Sequence, residues 1–419
     1  PPSPSHPPPP LAPPQPPSVP PPSAPAEAAA DRELLLDSGK TYRLSGEPII
    51  IRGAGVTVSI GTTGALPATI DAQYLSRHFI IRGGATLTLR NLHLINGYQH
   101  CGTQDCTLPT SARENGGSID VSGPGSALRL FNVILRDNML EGGGFFCACR
   151  GGAVYVNDGA VANVTGSKLI NNSAAVGGAM MAHASTIHIA GSRFERNTAG
   201  LLGGAIQFQR CTANTIAFAH CSEYRDSRGY IFDTEFLDCH AAMHGGALNV
   251  LSSHLEMTRT SIIRCNSTQL EGGAIHAIAG WSGMAAVSPA SVIATDVRFE
   301  GCTSGSGGGG IGAWDVSGSA GNSLTLALTR VSFTSCSAAK GGGAWCQSCV
   351  VQLEDVSFDR CSATHGGGLG LMGNAVGHPA SLSRVNFTAC SATDAALGGG
   401  GLFVGSQAEV VMSDSYLLG

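Results

Sequence analysis

The side chains of this sequence that could carry chemistry fall into three sets. The first is a series of carboxylates, Asp233, Asp238, Asp296, Asp355 and Asp359, which recur at similar places relative to a short apolar pattern. Two carboxyl groups on neighbouring segments, one protonated as acid and one ionised as base, are what glycosidic hydrolysis requires. Acidic residues holding Ca²⁺ beside an Arg or Lys base would instead serve eliminative cleavage. Most of these aspartates immediately flank a strand or its turn, the place of solvated corner residues, and that is the reading we adopt. The second set is imidazole: His244 and His365 each precede a glycine step, with Cys239-His240 nearby. Imidazoles bind borderline metals, but polar residues at a chain corner need no ion to explain them, so no metal is assigned. The third is Cys346-Gln347-Ser348-Cys349, which has the spacing of a redox motif or of half a zinc site. A second Cys or His pair at suitable spacing is missing, and no cofactor is assigned.

The elements that must position these groups are set by composition and pattern. Of 419 residues 58 are Gly and 21 Pro, while only 13% are charged, about twice the usual glycine and half the usual charge. A 43% apolar content supplies a core, which excludes wholesale disorder. No run of about 18 apolar residues occurs, so no membrane-spanning helix is expected, and a net charge of −5 argues against nucleic acid as a partner. Fifteen of the 21 prolines lie in residues 1–25, an extended polyproline II segment that is either a solvated spacer or a docking ligand for an aromatic groove. The chain begins at Pro1 without an initiator Met or an apolar signal region, which predicts a mature product or a fragment. Helix formers from Ala26 to Asp37, closed by Gly39, predict a short helix over 26–39 that caps the first coil with Leu34, Leu35 and Leu36. Beyond it, runs such as Thr57-Val58-Ser59-Ile60 and Thr86-Leu87-Thr88-Leu89 alternate as strands do.

One repeat dominates the rest. A Gly-Gly-small-apolar step recurs at Gly116, Gly151, Gly177, Gly203, Gly245 and Gly272, with looser copies at Gly309, Gly342, Gly367 and Gly400. Nine intervals over 284 residues average about 32, the range of a solenoid. Each copy is followed by an apolar residue three positions before Asn or Cys. The Asn or Cys positions are Asn138, Asn172, Asn197, Cys239, Cys265, Cys302, Cys336, Cys361 and Cys390, and Phe occupies the apolar place in six of the nine. The pattern predicts one coil of about three short strands per repeat, equivalent residues stacking at about 4.8 Å. The glycines would bend the chain and admit the neighbouring coil, the aromatics would stack inside, and the Asn and Cys would form a ladder. About a dozen coils would make a right-handed rod of roughly 50 to 60 Å. Residues 207–230 and 277–291 read as insertions carrying a binding surface.

The stretch Thr69-Ile70-Asp71, Phe79-Ile80-Ile81, Thr86 to Leu92 and Asn96-Gly97 resembles the opening coils of right-handed parallel β-helix, pectin-lyase-like proteins. The Gly-Gly-Ala-Ile and Phe-x-x-Asn pair over residues 40–419 is similar to the repeats of chlamydial polymorphic outer-membrane proteins. The Phe-x-x-Cys variant and Pro-rich leader are more similar to secreted wall and matrix proteins of green algae. The resemblance implies an all-β parallel β-helix and a non-enzymatic structural or adhesive protein whose partners are matrix or cell-wall glycans or proteins. Many proteins of this fold cleave acidic polysaccharides, so a lyase or glycoside hydrolase is the alternative. No adjacent Asp-Asp, Asn-Thr-Asp or Arg-Ile-Lys triplet of the pectinase kind is present.

Cysteine and asparagine bear on compartment. Fourteen Cys are present, six of them in the ladder, where stacking at about 4.8 Å allows either bridging or a column of buried thiols. Outside it, Cys101 with Cys106, Cys211 with Cys221, and Cys346 with Cys349 are placed to close short loops, the connectivity staying open. Asn163, Asn171, Asn266 and Asn386 each head a glycosylation sequon. Together these favour an extracellular location. At the far end, strands over Ala408–Val411 and Tyr416–Leu418 with no polar cap predict continuation of the rod or end-on self-association.

Overall fold

The structure, a computed structural model, describes residues 32–101, 115–142, 149–210, 226–280, 289–316, 324–373, 375, 377–394 and 398–418. The Pro-rich segment 1–25, residues 26–31 of the expected helix and most of the two expected insertions lie outside the described residues.

One repeat shows how the sequence makes a coil. Met180–His183 leads to Thr186–Ala190, then Arg193–Glu195, then Thr198–Leu202, and the chain bends at Gly203-Gly204 into Ile206–Gln209, which lies on Met180–His183 in parallel register. Alternation does the sorting: Ile187 and Ile189 point inward and are fully buried, while His188 between them faces out. Repetition yields parallel sheets of 13, 12 and 13 strands. Twelve steps of about 4.8 Å give a rod roughly 58 Å long. A fourth ladder of seven short strands, from Tyr98–Cys101 to Thr303–Ser304, was not anticipated by the repeat.

The fourth ladder belongs to segments that leave the middle strands of the 12-stranded sheet buried on both faces. Every residue of Val154–Asn157, Met180–His183, Ile206–Gln209 and Leu248–Leu251 is buried. Inward residues join one continuous core from Leu36 to Phe387. Outward ones pack under the covering segments, as Tyr155 and Met181 do against Val176, Leu201 and Leu202. The outer face of these middle strands is therefore an enclosed second layer.

The stacks predicted from the repeat are present. Phe194 lies on Phe236 with ring centroids 4.9 Å apart, and Phe299, Phe333, Phe358 and Phe387 follow at 4.7, 4.8 and 5.0 Å. Ile262 interrupts the series between Phe236 and Phe299, in register with both. At the glycine step the two residues have different duties. Gly177 has φ +63° and a Cβ on it would stand 2.2 Å from the carbonyl oxygen of Met180 in its own turn, whereas a Cβ on Gly178 would stand 2.2 Å from the carbonyl oxygen of Gly204 in the next coil.

The expected N-terminal helix is corrected where it is described. Arg32–Leu36 is a strand paired in parallel with Val58–Thr62, so this segment forms the first rung of a sheet instead of a helical lid over it. Helix propensity is a weak prior of a few tenths of a kcal/mol per residue, and a full set of ladder hydrogen bonds with burial of Leu36 outweighs it. Leu34 and Leu35 stay exposed, as do Tyr416, Leu417 and Leu418 in the last described strand.

Candidate functional site

Two columns of left-handed residues mark the corners on either side of the short Phe strand. One contains Asn91, Asn132, Asp233, Arg259, Asp296, Arg330, Asp355 and Arg384; the other contains Asn96, Asp137, Asn171, Asp238, Arg264 and Arg360. Asn and Asp tolerate this conformation because their short side chains bond locally, and in this rod their neighbours on the next coil complete them. Arg259 grips Asp233 with two bonds of 2.6 and 2.9 Å, Arg264 grips Asp238 at 2.8 and 3.1 Å, and Arg330 grips Asp296 at 2.6 and 2.9 Å. Arg384 does the same for Asp355 while also reaching Glu354. Asp359 pairs with its neighbour Arg360 at 2.8 Å. The guanidinium beside each of Asp233, Asp296 and Asp355 holds its carboxyl below the usual range. The corner reading stands for Asp233, Asp238, Asp296 and Asp355, whose partners, missed by sequence reasoning, are arginines at the same phase one repeat on, while Asp359 ends the short strand Ser357–Asp359.

A cleft of about 380 Å³ opens along this edge, lined by Lys168, Arg193, Asp233, Glu235, Arg259 and Ser261. Both of its carboxylates are engaged, Asp233 by Arg259 and Glu235 by Arg193 at 2.9 Å. A general acid needs a carboxyl whose proton is held up to neutral pH, and Asp233 is shifted the opposite way.

The ladder has an amide half and a thiol half with one shared bond. Asn138 donates to Asn172 Oδ1 at 2.9 Å and Asn172 donates to Asn197 Oδ1 at 3.0 Å. Asn172 and Asn197 also donate back to the carbonyls of Leu135 and Leu169. Cys239 makes the equivalent bond to Phe194 O at 3.6 Å, Cys361 to Phe333 O at 3.5 Å and Cys390 to Phe358 O at 3.3 Å. Thiol replaces amide because both can donate to that carbonyl. All six ladder cysteines, Cys239, Cys265, Cys302, Cys336, Cys361 and Cys390, are free thiols, so the column, not the bridging alternative, is observed.

Outside the ladder, Cys346 and Cys349 are paired, with Cα atoms 6.1 Å apart. Cys101 pairs with Cys149 at 6.2 Å, across two turns of the covering layer, where the sequence suggested Cys106 as its partner. Sequence distance misled there because stacking brings residues of successive coils together. Cys106, Cys211 and Cys221 lie outside the described residues. Of the sequon asparagines, Asn171 and Asn386 are exposed and Asn163 and Asn266 half-buried. Asn171 donates to Asp137 at 2.7 Å, and Asn266 is bonded to His240.

The enclosed layer over the 12-stranded sheet holds a polar cluster of which the sequence singled out only His244. Asn249 Nδ2 donates to Gln207 Oε1 at 2.6 Å, and His276 Nδ1 donates to Asn249 Oδ1 at 2.7 Å. Gln207 Nε2 donates to Phe208 O at 3.3 Å, which fixes both amide orientations. His276 Nε2 then lies 3.5 Å from Glu271 Oε2, and the ring of His244 stacks on that of His276 with centroids 4.2 Å apart. Burial, then the neighbouring His276, pulls the His244 imidazole down to about 3, so it is neutral. His244 and Glu271 each immediately precede the glycine pair of adjacent coils, whereas His365, in the same column, sits several coils away beside Asp394.

No protein-family model, curated protein or solved structure matches this chain. Its class is accordingly defined by the architecture alone, a parallel β-solenoid with long in-register sheets.

Proposed function

We propose that this chain is a non-enzymatic, extracellular rod that presents a polar surface to wall or matrix glycans or proteins. The observation that carries this reading is the engagement of the corner carboxylates, each clamped by an arginine, which spends on coil-to-coil cohesion the groups a hydrolase would need. Two cysteine pairs at bonding distance and two exposed sequon asparagines support an oxidising, secreted setting. Among the described residues no helix is long and apolar enough to cross a membrane. The cleft lined by Lys168, Arg193 and Arg259, with Ser261 beside them, suits hydroxyl-rich or acidic sugar chains by hydrogen bonding and charge.

The test incubates the full chain with acidic and neutral polysaccharides and measures both retention and chemistry. Saturable retention, weakened when Lys168 and Arg193 are changed to Gln, with no new reducing ends and no unsaturated products, is the expected result. Turnover of any of these polymers would replace the rod reading with the polysaccharide-cleaving one.

A further inference from the structure

The polar cluster in the enclosed layer is not explained by a rod that only stacks and binds at its surface. His244 Nδ1, Glu271 Oε2 and His276 Nε2 are all buried, and none has a hydrogen-bond partner. The three offer one ligand atom each, and these atoms lie within 4.8 Å of one another. His276 is 1% exposed, and its tautomer is dictated from behind. With Nδ1–H donated to Asn249 Oδ1, Nε2 is the ring position turned toward a carboxylate oxygen, and without a second proton it presents a lone pair there. Two acceptors facing each other in a buried space repel unless a cation lies between them.

The geometry points to a divalent transition-metal site, with Zn²⁺ as the fitting ion, in which His244, Glu271 and His276 bind one metal between two adjacent coils. Two imidazoles and a carboxylate are a known donor set for this ion, and three protein ligands leave a position for water. Ligand atoms about 2.0 to 2.1 Å from a tetrahedral ion stand roughly 3.3 Å apart, close to the 3.5 Å between His276 and Glu271. Side-chain rotation at the less buried His244 and Glu271 brings in the rest. The chain Gln207–Asn249–His276 acts as the outer support that metal-bound histidines use to hold ring and tautomer. Room is provided by Gly312, which stacks on His276 in the next coil. Even a Cβ there would stand 3.1 Å from Glu271 Cβ.

The competing arrangement is a proton in place of the metal, an imidazolium of His276 bonded to Glu271. Titration of chelator-treated full-length protein with Zn²⁺ in a calorimeter, and with Co²⁺ in a spectrophotometer, separates the two. The expected result is one tight site per chain. Affinity should fall at least about 100-fold in His276→Gln and in His244→Gln, and about 10- to 100-fold in Asn249→Leu, whose defect acts only through the ring of His276. Co²⁺ should show d–d bands without a thiolate charge-transfer band, which separates this site from the free ladder cysteines. Circular dichroism matching the parent shows that each variant folds, and Glu271→Gln, at a partly exposed position, gives an independent loss. Absence of a site in the parent, equal binding in all four variants, a thiolate band, or a His276 ring doubly protonated at neutral pH by ¹⁵N NMR in the presence of Zn²⁺ would each overturn the assignment.

Discussion

At the scale of single residues, the glycine pair separates two physical demands that sequence alone merges. The first glycine meets a left-handed backbone and a lack of space within its own turn, where a Cβ on Gly177 would stand 2.2 Å from the carbonyl oxygen of Met180, and the second meets a lack of space against the next coil. Gly178 faces the carbonyl oxygens of Gly204 and Thr198, which a Cβ would approach to 2.2 and 2.4 Å. Gly191 has φ +56° but no atom within 4 Å of where its Cβ would be. Gly191→Ala should therefore cost about 1 kcal/mol, the strain of one left-handed L-residue, and Gly178→Ala roughly 3 kcal/mol or more, because two coils must separate. Urea midpoints of the two variants decide this, and equal destabilisation would show that backbone conformation, not coil contact, explains both. The aspartates at the corners follow the same logic of place. Their position beside the short strand was legible, but nothing local marks the arginines that hold them from one repeat on.

At the scale of the element, the ladder column shows how one slot accepts chemically different residues. What the slot requires is a donor small enough to lie under the next coil and reach the carbonyl behind it, and both Asn197 and Cys239 satisfy that. Thiols in the later part of the column are poor nucleophiles. The hydrogen bond that Cys361 donates to Cys336, together with burial, pushes Cys361 up to about 12, and Cys336 is raised as well. Because only the thiolate attacks, Cys336 and Cys361 should resist iodoacetamide at pH 8 in the native protein and alkylate fully once guanidinium opens the rod. Mass spectrometry of Cys336 and Cys361 reads the result, and rapid labelling of the native protein would contradict a closed column. The first strand teaches the converse. Arg32–Leu36 has the composition of a helix, yet it is a strand because a neighbouring edge supplies hydrogen bonds that local propensity does not count.

At the scale of the whole molecule, the clamps from Asp233–Arg259 to Asp355–Arg384 form a rail along one edge of the rod. Asp233, Asp296 and Asp355 have folded carboxyl groups held below the ordinary value, so their stabilising effect is present above the unfolded pKa near 4 and is lost as pH falls through the lower folded one. Thermal midpoints should accordingly drop below about pH 4, and a triple change of Arg259, Arg330 and Arg384 to Gln should flatten that drop. The pairs are exposed, so high salt should mimic the triple variant. Identical pH slopes for parent and variant would show that the rail contributes nothing.

Residue order alone settles the solenoid: its period, its inward residues, the Phe stack and the Asn and Cys column. These are legible because in-register parallel stacking places residues of equal phase over one another, so periodicity in sequence becomes proximity in space. Even Asp233 and Arg259, 26 positions apart, obey that rule. Contacts between different phases come from the folded chain and from nothing simpler. His276 lies four positions past its glycine step and His244 one before an earlier step, and they meet only because the segment leading to each glycine pair folds back over the outer face of the strand after it. Cys101 and Cys149 meet in the same covering layer. Phase says nothing about which segments cover a face, since that depends on how corner geometry turns the chain, and there the groups with unsatisfied chemistry are found.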